Sequence, residues 1–306
     1  MTDAHISHSE SEKDRGPLQE LKRQLRSARD VWSNTCGAAL AKRHLLRRRR
    51  RFTGAYATHK AALQSVPQGA LAGYEHEDVV PVSQHVMTAI SEWDYPILFW
   101  LERRLRDAPT APRQPGAHSR NSASDAVGGG RLRILDAGGH IGTKFFAFRE
   151  LIDLSGVDWR VYDLPPMARA GRRLAETCGV SDQLTFCDRL EDAGPCDILL
   201  CSGLLQYLDI PFTELIDALD ARPPALVLNK VALRRGAAIY TLERIGPAYV
   251  PYQFRDQEAF YAEIKALGYH IADSWPIEAL AHRIASHPEI GPSESRGFVL
   301  TRRTVA

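Results

Sequence analysis

The sequence predicts an α/β protein whose main body is a doubly wound, mainly parallel sheet of seven strands, closed by an antiparallel hairpin and preceded by a helical region. Three observations predict it. From residue 131 onward, apolar strand-like runs alternate with helix-like ones, and the first run ends in a glycine-rich turn, as in a sheet covered by helices on both faces. Residues 108–130, APTAPRQPGAHSRNSASDAVGGG, are rich in Pro, Gly, Ser and Ala and hold little that could enter a core, so they read as a flexible linker between two regions. Two more strand-like runs, Tyr269–Trp275 and Gly297–Thr301, follow the helical stretch DQEAFYAEIKAL and fit an antiparallel pair at the sheet edge.

The elements follow in chain order. Residues 1–16 are polar, lack the apolar stretch of a secretory leader, and read as a disordered tail. Pro17 can open a helix along which Leu18, Leu21, Leu25 and Ala28 recur at helical spacing, giving a stripe that needs a partner. The basic run Arg47–Arg51 reads as a solvated helix end or as a weak contact to an anionic surface. Residues 52–107 carry FTGAYATHKAAL, GYEHEDVV and SEWDYPILFWLERRL, and the stretch 17–107 is expected to be a helical cap region. Beyond the linker, Leu132–Asp136, Trp159–Asp163, Leu184–Cys187, Asp197–Cys201 and Ala225–Leu228 are the strand candidates of a domain spanning 131–306.

Composition excludes some functions. With 306 residues and 44% hydrophobic content the chain can bury a full core, and a net charge of +2 is too mild to predict a nucleic-acid partner. The five cysteines are odd in number and show no CxxC spacing, so reduced, mostly buried thiols are expected rather than disulfides. No metal site is expected either, since His282 and His287 are five apart and would not share a helix face. No run of about 18 apolar residues could span a bilayer, so a soluble, cytoplasmic protein is expected.

The chemistry concentrates in RLRILDAGGHIGTKFF. Asp136 ends the first strand, and Gly138, Gly139 and Gly142 form a turn that opens a helix, a corner where backbone amides can approach an anionic group. Taken alone the signal is weak, because Ala137, Gly139 and Gly142 also approximate the dinucleotide fingerprint. WRVYDLPP then places Asp163 at the end of the second strand, where a carboxylate could accept both ribose hydroxyls of either kind of ligand. Asp188 in LTFCDRLED could face an adenine amino group or be an ordinary loop acid. After the fourth strand, Ser202, Gly203, Gln206 and Tyr207 lie at the carboxyl edge of the sheet, where open α/β sheets bind ligands.

LDAGGHIGT, DILLCSGLLQYL and the closing hairpin resemble class I S-adenosylmethionine-dependent methyltransferases, a Rossmann-like class, over most of residues 131–306. More narrowly, FTGAYATHKAAL and GYEHEDVV upstream, with LLQYLD, VPYQF and ALGYHIADSW downstream, are similar to an uncharacterised bacterial family of methyltransferase-like proteins often found with surface-polysaccharide gene clusters. The resemblance implies S-adenosylmethionine as cofactor. It also implies that Asp136, Gly138 and Gly142 form the first cofactor motif, that Asp163 is the ribose-binding acid and that Asp188 stands at the adenine side. Gly139, Leu164, Ser202, Gly203 and Gln206 complete the expected cofactor set. His140 and Lys144 depart from the family pattern. His140 is the candidate general base, its alternative being a structural or solvent-facing imidazole, and Lys144 could pair with an anionic substrate.

The expected activity is methylation of an oxygen or nitrogen on a small-molecule or saccharide acceptor, with Tyr207 and Tyr252 on the acceptor side. Tyr249 is expected on a nearby loop, where ordinary packing is the simpler role. Two other readings stand beside this one: an NAD(P)-dependent oxidoreductase, and a non-catalytic cofactor-binding adaptor docked through Arg47–Arg51.

Overall fold

The computed structural model describes residues 51–72, 89–107, 130–246 and 248–302. The chain divides into Met1–Arg51 and Phe52–Ala306. The expected tail, the helix from Pro17, Arg47–Arg50 of the basic run and all of the linker but Gly130 lie outside the described residues.

Strand β1 (Phe52–Tyr56), helix α1 (His59–Gln64), the short strand β2 (Leu71–Ala72) and helix α2 (Tyr95–Asp107) precede the glycine-rich turn. Residues 52–107 are thus not helical throughout. Alternating strands and helices follow: β3 (Leu132–Ala137), α3 (Thr143–Phe148), β4 (Val157–Tyr162), α4 (Pro165–Thr177), β5 (Leu184–Cys187), β6 (Ile198–Ser202), α5 (Phe212–Asp217) and β7 (Ala225–Arg234). The chain then runs through β8 (Ile239–Ile245), β9 (Ala248–Asp256), α6 (Gln257–Ala266), β10 (Tyr269–Pro276) and β11 (Glu294–Arg302).

Seven of the eleven strands among the described residues make the expected sheet, in the order β5-β4-β3-β6-β7-β11-β10. The first five are parallel, whereas β11 runs antiparallel to both β7 and β10. Burial of both faces explains the near-continuous apolar runs of these strands. Along β7, Leu226 and Leu228 join Phe212, Phe260 and Ile264 of α5 and α6 on one face. Ala225 and Val227 join Ile97 and Leu101 of α2 and Phe145 and Phe148 of α3 on the other. The indole of Trp100 on α2 donates to Asp273 on β10 at 2.8 Å, fastening that helix to the sheet edge. Helix α6 starts where Asp256 accepts from the amides of Glu258 and Ala259.

Four further strands exceed the predicted seven. Strand β8 pairs with β1 and β9, all antiparallel, and β2 adds to β9. Strand β6 ends beside β7 at Ser202↔Asn229, and β9 pairs with β7 further along, at Leu233↔Arg255 and Arg234↔Asp256. Strand β11 occupies the other side of β7 there, so β9 continues the sheet on the side where β6 stops. This sets the small antiparallel sheet beyond the carboxyl end of the parallel strands, the end where such sheets bind ligands.

Candidate functional site

Asp136 sits near the end of β3 with 1% of its surface exposed. Its Oδ2 accepts a hydrogen bond from the Trp159 indole of β4 at 3.2 Å, and Oδ1 has no partner. Burial pushes its pKa up to about 7, against the opposing pull of the Trp159 bond. The glycines that follow are required by the protein's own packing. A Cβ at Gly139 would lie 2.5 Å from Asp136 Oδ2, and one at Gly142 would lie 2.8 Å from Leu184. Gly138 and Gly142 also adopt φ of +73° and +84°, where a side chain is strained.

His140, at φ +58°, is the non-glycine residue of this turn in the left-handed region. Its amide donates to Asp163 Oδ2 at 2.7 Å, and Asp163 Oδ1 accepts from the Leu164 amide at the same distance. Asp163 therefore bridges the turn after β3 and the start of α4. Burial raises its pKa, while these two bonds act the other way. The His140 ring is only 1% exposed and neither nitrogen has a partner, which rules out the solvent-facing alternative. Burial lowers its pKa to about 4, so the imidazole is neutral at physiological pH and a weaker base than one tuned near 7.

Lys144 has a different role from the one its position suggested. Its Nζ lies 2.7 Å from Asp94 Oδ2, and both side chains are buried. The same oxygen accepts from the Ser91 amide at 3.0 Å. The cation is thus neutralised from within, by the turn that leads into α2, rather than offered to a substrate.

Asp188 follows β5 and faces Arg172 of α4 across 3.7 Å, both partly exposed. Beyond β6, Gly203 takes φ +89° and its amide donates to Asn229 O at 2.9 Å. The Ser202 hydroxyl accepts from Asn229 Nδ2 at 3.5 Å. Gln206 is buried with Oε1 partnerless, and its Nε2 would stand 3.5 Å from a Cβ at Gly203. Sequence reasoning missed Asn229 and Lys230 of β7, whose only signal was a polar pair inside the apolar run LVLNKVAL. Asn229 is 1% exposed with Oδ1 partnerless, and Lys230 adopts φ +59°. Asp136, His140, Gln206 and Asn229 therefore bring partnerless buried atoms to the end of β3, the turns after β3 and β6, and the point of β7 that pairs with the end of β6.

No family model matches this sequence, and comparison with curated proteins gave no relative. Several solved structures are similar to part of this chain. A Burkholderia thailandensis 1,6-didemethyltoxoflavin-N1-methyltransferase with bound S-adenosylhomocysteine is 18% identical, covering 78% of this chain and 94% of its own, with a TM-score of 0.42. OxaC in complex with S-adenosylhomocysteine and oxaline is 13% identical over 67% of this chain and 46% of its own, with a TM-score of 0.42. For the mitomycin 7-O-methyltransferase MmcR the values are 17% identity, 56% and 49% coverage and a TM-score of 0.37. The present chain spans about half the length of these last two proteins.

The expected acceptor-side tyrosines lie on two different faces. Tyr249 and Tyr252 belong to β9 and not to loops. Tyr252 is buried, with its ring edge-on to Phe52 at 4.9 Å and to Tyr207 at 5.5 Å. Tyr207 donates its hydroxyl to Glu243 of β8 at 2.7 Å, and that carboxylate is fully buried. Tyr249 packs instead with Ala62, Tyr240 and Leu242. Arg255 of β9 ties this sheet to the rim by donating to the carbonyls of Leu205 and Ile210.

Proposed function

We propose that the chain is an S-adenosylmethionine-dependent methyltransferase that methylates an oxygen or nitrogen of a small-molecule or saccharide acceptor by in-line transfer. The observation that carries this reading is the convergence of partnerless buried atoms at one rim: Asp136 Oδ1, both ring nitrogens of His140, Gln206 Oε1 and Asn229 Oδ1. Each such atom costs about 1–3 kcal/mol if left unsatisfied. A ligand with several hydrogen-bonding groups, laid across neighbouring turns, fits that set. The antiparallel β11 between β7 and β10 also departs from the six-stranded 3-2-1-4-5-6 order of dinucleotide-binding sheets, which weighs against the oxidoreductase reading.

In this reading Asp163 holds the ribose hydroxyls. Each of its oxygens takes one backbone amide, and each keeps a second lone pair. Asp188 stands toward the adenine, and Ser202, Gly203 and Gln206 line the opposite part of the cleft with the glycine turn. When bound, the cofactor supplies a methyl group on a sulfonium that departs as a neutral thioether. The protein's contribution is mainly placement, which is worth roughly 7–11 kcal/mol in favourable systems. His140, neutral and enclosed, serves as a hydrogen-bonding group more readily than as a general base. Tyr207 and Tyr252 face the acceptor from the seam with the small sheet. Residues 131–306 form the catalytic domain, with 17–107 as an accessory region and 108–130 as the linker. Arg47–Arg51 makes at most a weak anionic contact, and the protein works in the cytoplasm.

Isothermal titration with S-adenosylhomocysteine tests the reading, and no heat at millimolar ligand would sink it. Asp163→Ala is expected to weaken that binding by about 1–3 kcal/mol; an unchanged affinity would show that the acid is misassigned.

A further inference from the structure

Resting on the cofactor reading above, we propose that Lys230 binds the carboxylate at the methionyl end of S-adenosylmethionine. Strand β7 carries a backbone anomaly. Lys230 holds φ +59° inside β7, a left-handed conformation that a lysine rarely adopts in a strand. The pairing explains how it arises: Leu228 opposes Phe298 and Val231 opposes Arg296, so Asn229 and Lys230 together face Gly297 alone. This is a bulge, a feature that re-aims a side chain and is enriched beside active sites. A strained residue of this kind persists where the surrounding structure holds it and marks a candidate site.

The re-aimed side chain crosses the rim. Lys230 Cε and Nζ would lie 3.2 and 3.4 Å from a Cβ at Gly203, so the ammonium rests against the turn that follows β6. Topology says which end of the cofactor reaches it. In the order β5-β4-β3-β6-β7, Asp188 and Asp163 take the adenosine on the β5–β4 side of the glycine turn. The methionyl end then extends toward β6 and β7. Of the two charged groups on that arm, a cation is attracted by the carboxylate and repelled by the α-ammonium, so the carboxylate is the group Lys230 would hold. Helix α3 has only six residues and offers little dipole for the purpose.

The experiment compares two ligands that differ in the amino-acid arm. S-adenosylhomocysteine carries the carboxylate; 5′-methylthioadenosine keeps the adenosine and thioether and lacks it. Titration calorimetry is run on the full chain as wild type, Lys230→Met and Lys230→Gly. The glycine variant accepts the left-handed backbone without strain and guards against misfolding of the first, with the thermal midpoint followed for both. The expected result is a loss of about tenfold or more in affinity for S-adenosylhomocysteine in both variants, with 5′-methylthioadenosine unchanged. Equal losses for the two ligands, or no loss for either, would overturn the assignment while leaving the cofactor reading intact. Wild-type protein that binds neither ligand would remove the cofactor reading itself.

Discussion

The parallel sheet and the small antiparallel sheet are built from the chain in opposite ways. Each parallel strand is followed within a few residues by the helix or turn that covers it, and its rim position comes from its own end. The small sheet gathers β1, β2 and the β8–β9 hairpin from remote segments, pairing Phe52 with Glu243. The parallel sheet buries two large clusters on its two faces, one on each side. The small sheet buries an aromatic cluster around Phe52, Tyr252 and Phe254 together with the Glu243 carboxylate. The first is therefore expected to set global stability and the second to shape the mouth of the site.

The largest test of that contrast is Lys144→Met. It strands Asp94 as an uncompensated buried charge, and urea unfolding is expected to show a loss of about 3–5 kcal/mol. Adding Asp94→Asn should restore much of it. A loss below 1 kcal/mol, roughly the value of an exposed pair, would mean that this contact is not a buried pair at all.

The next test is the pH dependence of Asp136→Asn. The Asp136 carboxyl is raised from 3.8 to about 7 by burial, so the native state keeps a proton that the unfolded chain releases above pH 4. Its contribution to stability is present at low pH and is lost as pH rises through 7, by up to about 4 kcal/mol. The asparagine variant should therefore gain stability over wild type between pH 5 and pH 8, measured by denaturant unfolding at each pH. A constant difference would mean that the acid titrates normally. The smallest effect is expected in the antiparallel region, where Tyr207→Phe removes a donor from a buried carboxylate at a cost of about 1–3 kcal/mol. Hydrogen exchange should place that loss in β8 and β9 while β3 to β6 keep their protection. Loss of protection throughout would erase the distinction between the two sheets.

The same contrast explains what was legible in the sequence. Strands β3 to β7 announced themselves through apolar runs, and the glycine turn and Asp163 through strand ends. Strands β8 and β9 were hidden because Glu243 interrupts one and Pro251 the other, and proline argues against a strand unless it lies at an edge or bulge. Tyr249 and Tyr252 consequently read as loop residues. The Lys144–Asp94 pair joins positions 50 apart, so within the first helical turn Lys144 is only a cation in an unfavourable place. Lys230 was invisible for a similar reason, since its bulge depends on the register of β11.

That bulge has a consequence for how the sequence can change. Position 297 is glycine because the Trp275 indole fills the space where its side chain would begin, with a Cβ there meeting ring carbon at 2.0 Å. The two residues form one unit of variation: a side chain at 297 becomes tolerable only after the indole is replaced by something smaller. In divergent descendants, positions 275 and 297 should drift together, and with them the geometry that turns residue 230 toward the cleft.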